Sequence, residues 1–221
     1  MMRQRIGATK NGHVNWLTMH SRVINFGSLK SHQLRYTVRT PPPTFNKRQS
    51  KPMSALHELQ FRHVKPEDLD RCFEIEQAGF SREEAATREK IEHRIRTYPE
   101  GFLVAENQTQ IAGFVNSGAC HTVALSDEDF KELLGHDPDG PHIVVMSVVV
   151  HPEYQGKGFA GALVKHFIEQ MRAMSKEDIY LICQTELIGF YEKYGFKYLA
   201  PSESDHGGRA WHDMRLDLCT R

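Results

Sequence analysis

The sequence predicts an α/β (α+β) domain, one mixed sheet with helices on both faces, and three observations carry that prediction. Residues 143–150 form an almost unbroken apolar run, which suits a central strand buried on both faces. Directly after it Phe159, Leu163, Phe167 and Met171 recur every four residues, the mark of an amphipathic helix. Around this pair, shorter stretches of strand and helix character follow in the order β-α-α-β-β-β-α-β-α-β-β, a pattern that layers helices on a sheet.

Each element has a local reason. Residues 56–64 read as the first strand. Pro66-Glu67-Asp68 then opens a helix, with proline at the first position and acids at the positive end of the dipole. Leu69, Cys72, Phe73 and Glu76 share one face of it. A second helix is expected over 83–97, opened by Glu83 and Glu84 and stopped before Pro99. Residues 101–106 and 110–120 form a hairpin around the polar turn Asn107-Gln108-Thr109. The polar stretch 122–141 is expected to hold a short helix near 127–134 and a turn-rich exit, and an insertion of this length in a compact domain is usually functional. After the central strand come a helix over 156–174, a strand over 179–183, a helix over 186–194 and two strands near 196–199 and 209–218.

Charge divides the chain. Residues 1–52 carry ten Lys and Arg and no acid, so residues 53–221 hold 18 of the 28 basic residues against all 28 acidic ones, a net charge of −10. The first segment lacks any apolar period and is expected to be a disordered basic tail. It reads either as an organelle transit segment or as an over-extended start with Met53 as initiator. The location expected is cytoplasmic, or the mitochondrial matrix if the tail is a transit segment. An acidic domain excludes general nucleic-acid binding, and no apolar run is long enough to span a membrane. The four cysteines have no metal-ligand spacing, so no metal site is expected. A monomer or weak dimer is expected.

The most informative stretch is Gln155-Gly156-Lys157-Gly158-Phe159-Ala160, where the central strand hands over to a helix. Small residues there let an anion approach the backbone, and the first helical N–H groups point at it. A pyrophosphate suits this turn, with Lys157 adding charge. No P-loop and no complete dinucleotide fingerprint is present.

In this setting the turn resembles the coenzyme motif of the GNAT acetyltransferase superfamily, (Gln/Arg)-x-x-Gly-x-(Gly/Ala). The run VVMSVVVHPEYQGKG resembles that family's central strand, and ICQTELIGFYEKYGF resembles its tyrosine-bearing helix. The resemblance implies a GNAT-like domain over 53–221 with a mostly antiparallel sheet and acetyl-CoA as cosubstrate. Val148, Val149 and Val150 would lie along the coenzyme, with Gln155, Gly156, Lys157, Gly158, Phe159 and Ala160 around its pyrophosphate. Within the superfamily FRHVKPEDLDRCFEIEQAGF and EEAATREKIEHRI resemble the arylalkylamine N-acetyltransferases and their polyamine-acetylating relatives. The acceptor implied is a primary amine. Acetylation of protein N-termini or lysines, or a non-catalytic acyl-CoA sensor, are the alternatives. The vertebrate serotonin-acetylating enzymes carry two strand histidines where this chain has Val144 and Met146, so proton removal must be arranged differently.

Amine attack on a thioester needs a neutral amine, and an alkylamine is neutral in only about one part in a few thousand at pH 7. A base must therefore act, an N–H donor must stabilise the oxyanion, and an acid must protonate the thiolate. By resemblance Tyr191 is the acid, although a tyrosine beside Phe190 also packs well. Glu84 is the candidate base, since it resembles the glutamate of an Asp-Glu pair that plays this part in relatives. Glu76, His121 and His142 are rivals. Ser147 is a candidate for holding a water in proton transfer. Phe80, Phe102 and Phe114 are candidates for an aromatic-amine pocket.

Overall fold

The computed structural model describes residues 59–108, 110–126, 129–204 and 208–219. The expectations for residues 1–52, and the domain start at 53, lie outside the described residues.

The sheet has seven strands in the order β1-β2-β3-β4-β5-β7-β6. They are β1 (Leu59–His63), β2 (Phe102–Asn107), β3 (Gln110–Cys120), β4 (His142–Val150), β5 (Asp178–Cys183), β6 (Lys197–Pro201) and β7 (His212–Asp217). All neighbours run antiparallel except β4 and β5. That parallel pair needs a crossover, which α3 (Phe159–Ala173) provides. The other helices are α1 (Leu69–Gly79), α2 (Arg88–Thr97) and the short α4 (Ile188–Glu192). The mixed, mostly antiparallel sheet agrees with the fold class that the sequence predicts.

Strand alternation assigns the two faces. Phe102, Val104, Phe114 and Val149 turn toward α1 and α2 and pack with Cys72, Ile75, Ile91 and Ile95. Leu103, Ala105, Val115 and Ile143 turn the other way, onto Leu163, Phe167 and Met171 of α3. The helix period read from the sequence is thus the stripe that α3 buries.

Several boundaries depart from expectation. Residues 82–84 form a turn rather than the start of α2, because the Glu84 and Ala85 N–H groups both donate to the Ser81 carbonyl. The helix begins instead at Arg88, where Thr87 Oγ1 accepts from the Lys90 N–H at 3.3 Å. Gly156 and Gly158 have φ of +72° and +85°, outside helical space, so α3 starts at Phe159. Of the helix expected over 127–134, residues 127 and 128 lie outside the described residues, and Asp129–Glu132 form a 3₁₀ turn. A 3₁₀ turn at Thr185–Leu187 precedes α4, which is shorter than expected. The last strand starts at His212, since Arg209 is drawn aside into an ion pair with Glu84.

Two features of β4 prepare the site. It pairs with β5 only at Ile143 and its immediate neighbours, so Val145 to Val150 have no β5 partner and the two strands diverge. Toward β3, Asn116 pairs with Ser147 and Ser117 with Val145, which leaves Met146 as the extra residue of a bulge.

Candidate active site

The divergence of β4 from β5 opens a cavity of about 390 Å³. Its floor is β4 from Val144 to Val150. One wall comes from α1, the 83–86 turn and α2; the other comes from β5, Leu187 and Tyr191. A second cavity, about 320 Å³, adjoins it and is lined by Val150, Gln155, Gly156, Gly158, Phe159, Ala160 and Gly161, with Phe190 and Tyr194. Val150 and Gln155 belong to both, so the two form one tract along β4 and over the start of α3.

The smaller cavity is built for close approach to backbone. A Cβ added to Gly156 would meet nothing within 4 Å, so the space over that residue is open. Gly161 lies beneath the Tyr194 phenol, whose oxygen would be 2.0 Å from an added Cβ. The first N–H groups of α3 have no intrahelical partner there. Gln155 Nε2 donates to the Val150 carbonyl at 2.9 Å and fixes the turn onto the strand end. The Phe159 side chain is buried against Tyr154, so only its backbone faces outward. Lys157 lines neither cavity: its Nζ donates to the Glu153 carbonyl at 2.8 Å and lies over the Tyr154 ring.

The larger cavity brings Glu76, Glu84, Ser147 and Tyr191 together. Glu76 is 1% exposed. Its Oε1 accepts from the Ala86 N–H at 3.0 Å and from Ser147 Oγ at 3.3 Å, while its Oε2 has no hydrogen-bond partner among the described residues. Burial holds its carboxyl above the ordinary range, and the two hydrogen bonds and Arg94 only partly oppose this. Asn116, opposite Ser147 on β3, is also buried with both amide atoms unpaired. Orphaned polar atoms beside a cavity mark a place for a polar ligand or ordered water.

Glu84 lies in the same wall under different constraint. Its Oε1 accepts from Gln184 Nε2 at 3.1 Å and pairs with Arg209 Nε at 3.2 Å, and its Oε2 accepts from the Ser81 N–H at 3.4 Å. Arg209 also donates to Gln184 Oε1, so the three side chains form a clamp between the 83–86 turn and the segment before β7.

Tyr191 is buried between Phe190 and Phe196 and lines the cavity. Burial raises its phenol well above the ordinary value, so it stays protonated at neutral pH. The nearby Cys183 thiol is pushed up to about 11 by burial and donates to Met214 Sδ, which leaves it a poor nucleophile. Of the rival histidines, His121 pairs with Asp137 and His142 with Asp178, and neither lines the cavity. Phe80 lines it; Phe102 and Phe114 are fully buried in the core instead.

Sequence reasoning missed Arg94, Phe130 and Trp211, all in the cavity wall. Arg94 had a readable signal, since it falls three residues after Ile91, on the apolar stripe of α2. Trp211 had none, because it lies outside every regular element, just before β7.

No helix of the described residues is long and apolar enough to cross a membrane. Residues 67–196, more than half of the chain, match the model of the acetyltransferase (GNAT) family. A serotonin N-acetyltransferase from Mesocricetus auratus is 23% identical over 195 residues, 86% of this chain and 93% of that protein. Among solved structures, the loading GNATL domain of CurA from Lyngbya majuscula superposes with a TM-score of 0.64 at 18% identity, over 74% of this chain and 99% of that one. The PaiA N-acetyltransferase from Thermoplasma acidophilum, solved in complex with coenzyme A, gives a TM-score of 0.54 at 18% identity, over 72% of this chain and 98% of that one.

Proposed function

We propose, from the premise that this chain belongs to the acetyltransferase (GNAT) family, that it transfers the acetyl group of acetyl-CoA to a small primary amine of the arylalkylamine class. The observation that carries the reading is a buried carboxylate with one free oxygen, Glu76 Oε2, in a cavity of mixed polar and apolar lining that is continuous with the glycine turn.

The chain fits the coenzyme. Val148, Val149 and Val150 lie on the part of β4 that has no β5 partner, where an extended arm can pair with backbone. Gly156 and Gly158, with Phe159 and Ala160 opening α3, supply the open turn and the free N–H groups for a pyrophosphate. Acetyl-CoA brings a thioester-activated acetyl group to this tract.

The residues then divide the proton work. Glu76, desolvated and therefore more basic than an ordinary carboxylate, takes the proton of the acceptor ammonium on Oε2. Ser147 holds Glu76 in place. Backbone N–H groups near the Met146 bulge polarise the reacting carbonyl. Tyr191 donates its phenolic proton to the departing thiolate; a phenol of pKa near 10 or above is a weaker acid than a thiol of about 8.5, so the transfer is uphill by itself and is completed as the phenolate recovers the proton that the newly acetylated nitrogen releases. Glu84 stands in this scheme as a clamp rather than the base, because three donors already hold its carboxylate.

The wall chemistry favours an arylalkylamine over a polyamine. Phe80, Phe130, Val144, Leu187 and Trp211 offer apolar and aromatic surface to an aryl group, while the charged lining is balanced, Glu76, Glu83 and Glu84 against Lys90, Arg94 and Lys131, with no surplus of acid for a second ammonium. Thiol release from acetyl-CoA, followed with tryptamine, spermine and a lysine-containing peptide in turn, tests the reading. Turnover with tryptamine is expected; tight coenzyme binding without turnover of any amine would instead point to an acyl-CoA sensor.

A further inference from the structure

Arg94 is the least explained charge in the cavity wall. It is 4% exposed, and Nε and Nη2 both donate to the Lys131 carbonyl, at 3.3 and 2.9 Å. That carbonyl satisfies two of the five N–H groups of a guanidinium but not its charge. Arg94 makes no ion pair among the described residues. Burying a cation without a contacting anion is unfavourable by several kcal/mol, so an anionic group that enters the cavity would be drawn to it. The neighbouring cation Lys90 is already paired, with Glu132.

The carboxylate whose field Arg94 feels most is Glu76, across the same cavity. The two are close enough to influence each other, yet they form no salt bridge, and Glu76 keeps an unpaired oxygen. Residues placed only to neutralise one another would be in contact. Instead a buried anion and a buried cation face one space, each with hydrogen-bonding capacity left over. A molecule carrying both an ammonium and a carboxylate satisfies both ends at once, and the guanidinium fork suits a carboxylate.

We infer that Arg94 is a specificity-determining residue that binds a carboxylate on the acceptor, so that the preferred acceptor is an amino acid with an aromatic or large apolar side chain. Its α-ammonium sits at Glu76, its carboxylate on the Nη1 side of Arg94, and its side chain against Phe130 and Val144. The inference rests on the acetyl-transfer reading and replaces the bare arylalkylamine, as preferred acceptor, with its α-carboxylated counterpart.

The test compares matched acceptors, tryptophan with tryptamine and phenylalanine with phenethylamine, by coenzyme thiol release. The measured quantity is the ratio of kcat/KM for the amino acid to that for its amine. In the wild-type enzyme the ratio is expected to exceed ten. In Arg94→Gln it should fall about a hundredfold, the size of a lost charge-assisted pair, mainly through the KM of the amino acid, and Arg94→Lys should recover part of it. A wild-type ratio below one overturns the inference and leaves the acetyl-transfer reading intact. So does an unchanged ratio in Arg94→Gln, which would make Arg94 only a strut for the Asp129–Glu132 turn. If the variant does not fold, the wild-type ratio alone decides. No thiol release with any of the four acceptors would sink the acetyl-transfer reading itself.

Discussion

Ser147 Oγ donates to Glu76 Oε1 at 3.3 Å, tying the central strand to the first helix inside the cavity. A hydrogen bond to an ionised carboxylate stabilises the charged form, so it lowers a carboxyl that burial has raised. Ser147→Ala removes that bond and should raise Glu76 further. A base must be deprotonated to act, so the acidic limb of the kcat/KM profile should move to higher pH, by about one unit. A limb that stays in place would show that Glu76 is not the titrating group.

Two glutamates share the wall, and substitution separates them. Glu76→Gln removes the proposed base and should lower kcat about a hundredfold or more. Glu84→Gln keeps the shape of the clamp but weakens its ion pair with Arg209, so it should act on the acceptor KM and leave the pH profile unmoved. Comparing both variants at saturating acetyl-CoA decides between them; a reversed result returns the base to Glu84.

The same carboxyl makes stability depend on pH. Its folded-state pKa lies above the unfolded value, so the folded state binds its proton more tightly. Stability is therefore full below the ordinary carboxylate range and declines as the pH rises through the folded value, with a slope of at most ~1.4 kcal/mol per pH unit. Glu76→Gln cannot lose this proton. Its Tm should gain on the wild type as the pH rises from 4 to 8, and a constant difference would contradict the shift.

The parts of this fold that rest on local pattern were legible. The buried run of β4, the four-residue stripe of α3 and the glycines after Gln155 each obey a one-dimensional rule, and the structure keeps all three elements. What the sequence concealed is set by distant partners. Glu84 looks like a helix-opening acid, yet the Ser81 carbonyl captures the local N–H groups and Arg209, far along the chain, captures the carboxylate. Glu76 was visible only as an acid on an apolar face. Its hydrogen bonds to Ala86 and Ser147 require the helix, the turn and the strand to be assembled first.

Tyr191→Phe removes one oxygen while keeping the ring against Phe190 and Phe196. Stability should change little and acetyl-CoA affinity should hold, while kcat falls about a hundredfold through loss of the acid. The fall should be smaller with an acyl thioester whose leaving thiol is more acidic, because that thiolate needs protonation less. Equal losses with both thioesters would assign Tyr191 a packing role.

Gly156 separates ligand effects from folding effects. The space over it is open, so a side chain there meets no protein atom and is disfavoured only by its positive φ, at roughly 1 kcal/mol. Gly156→Glu would place a negative charge where the pyrophosphate is proposed to lie. Coenzyme A affinity should drop more than tenfold, with a Tm shift no larger than that of Gly156→Ala. Retained affinity in the folded Glu variant would remove the turn from the coenzyme site.

Gly79, at the end of α1, tests how closely that helix must sit on β4. A Cβ there would lie 2.2 Å from Val149 Cγ2, and Gly79 is not among the positive-φ glycines, so an alanine is opposed by space alone. Gly79→Ala should therefore destabilise by about 1–3 kcal/mol as an overpacking change. It should also slow turnover, since lifting α1 draws Glu76, one turn earlier, away from Ser147. Val149→Ala removes the clashing methyl and leaves its Cβ 3.7 Å from the new one, an ordinary contact. The double variant should therefore be more stable than the two single losses added together, by about 1 kcal/mol or more, and should regain part of the lost kcat. Urea midpoints and kcat for the four proteins complete the cycle. Strict additivity in both would mean that the helix–strand contact at Gly79 does not set the position of Glu76.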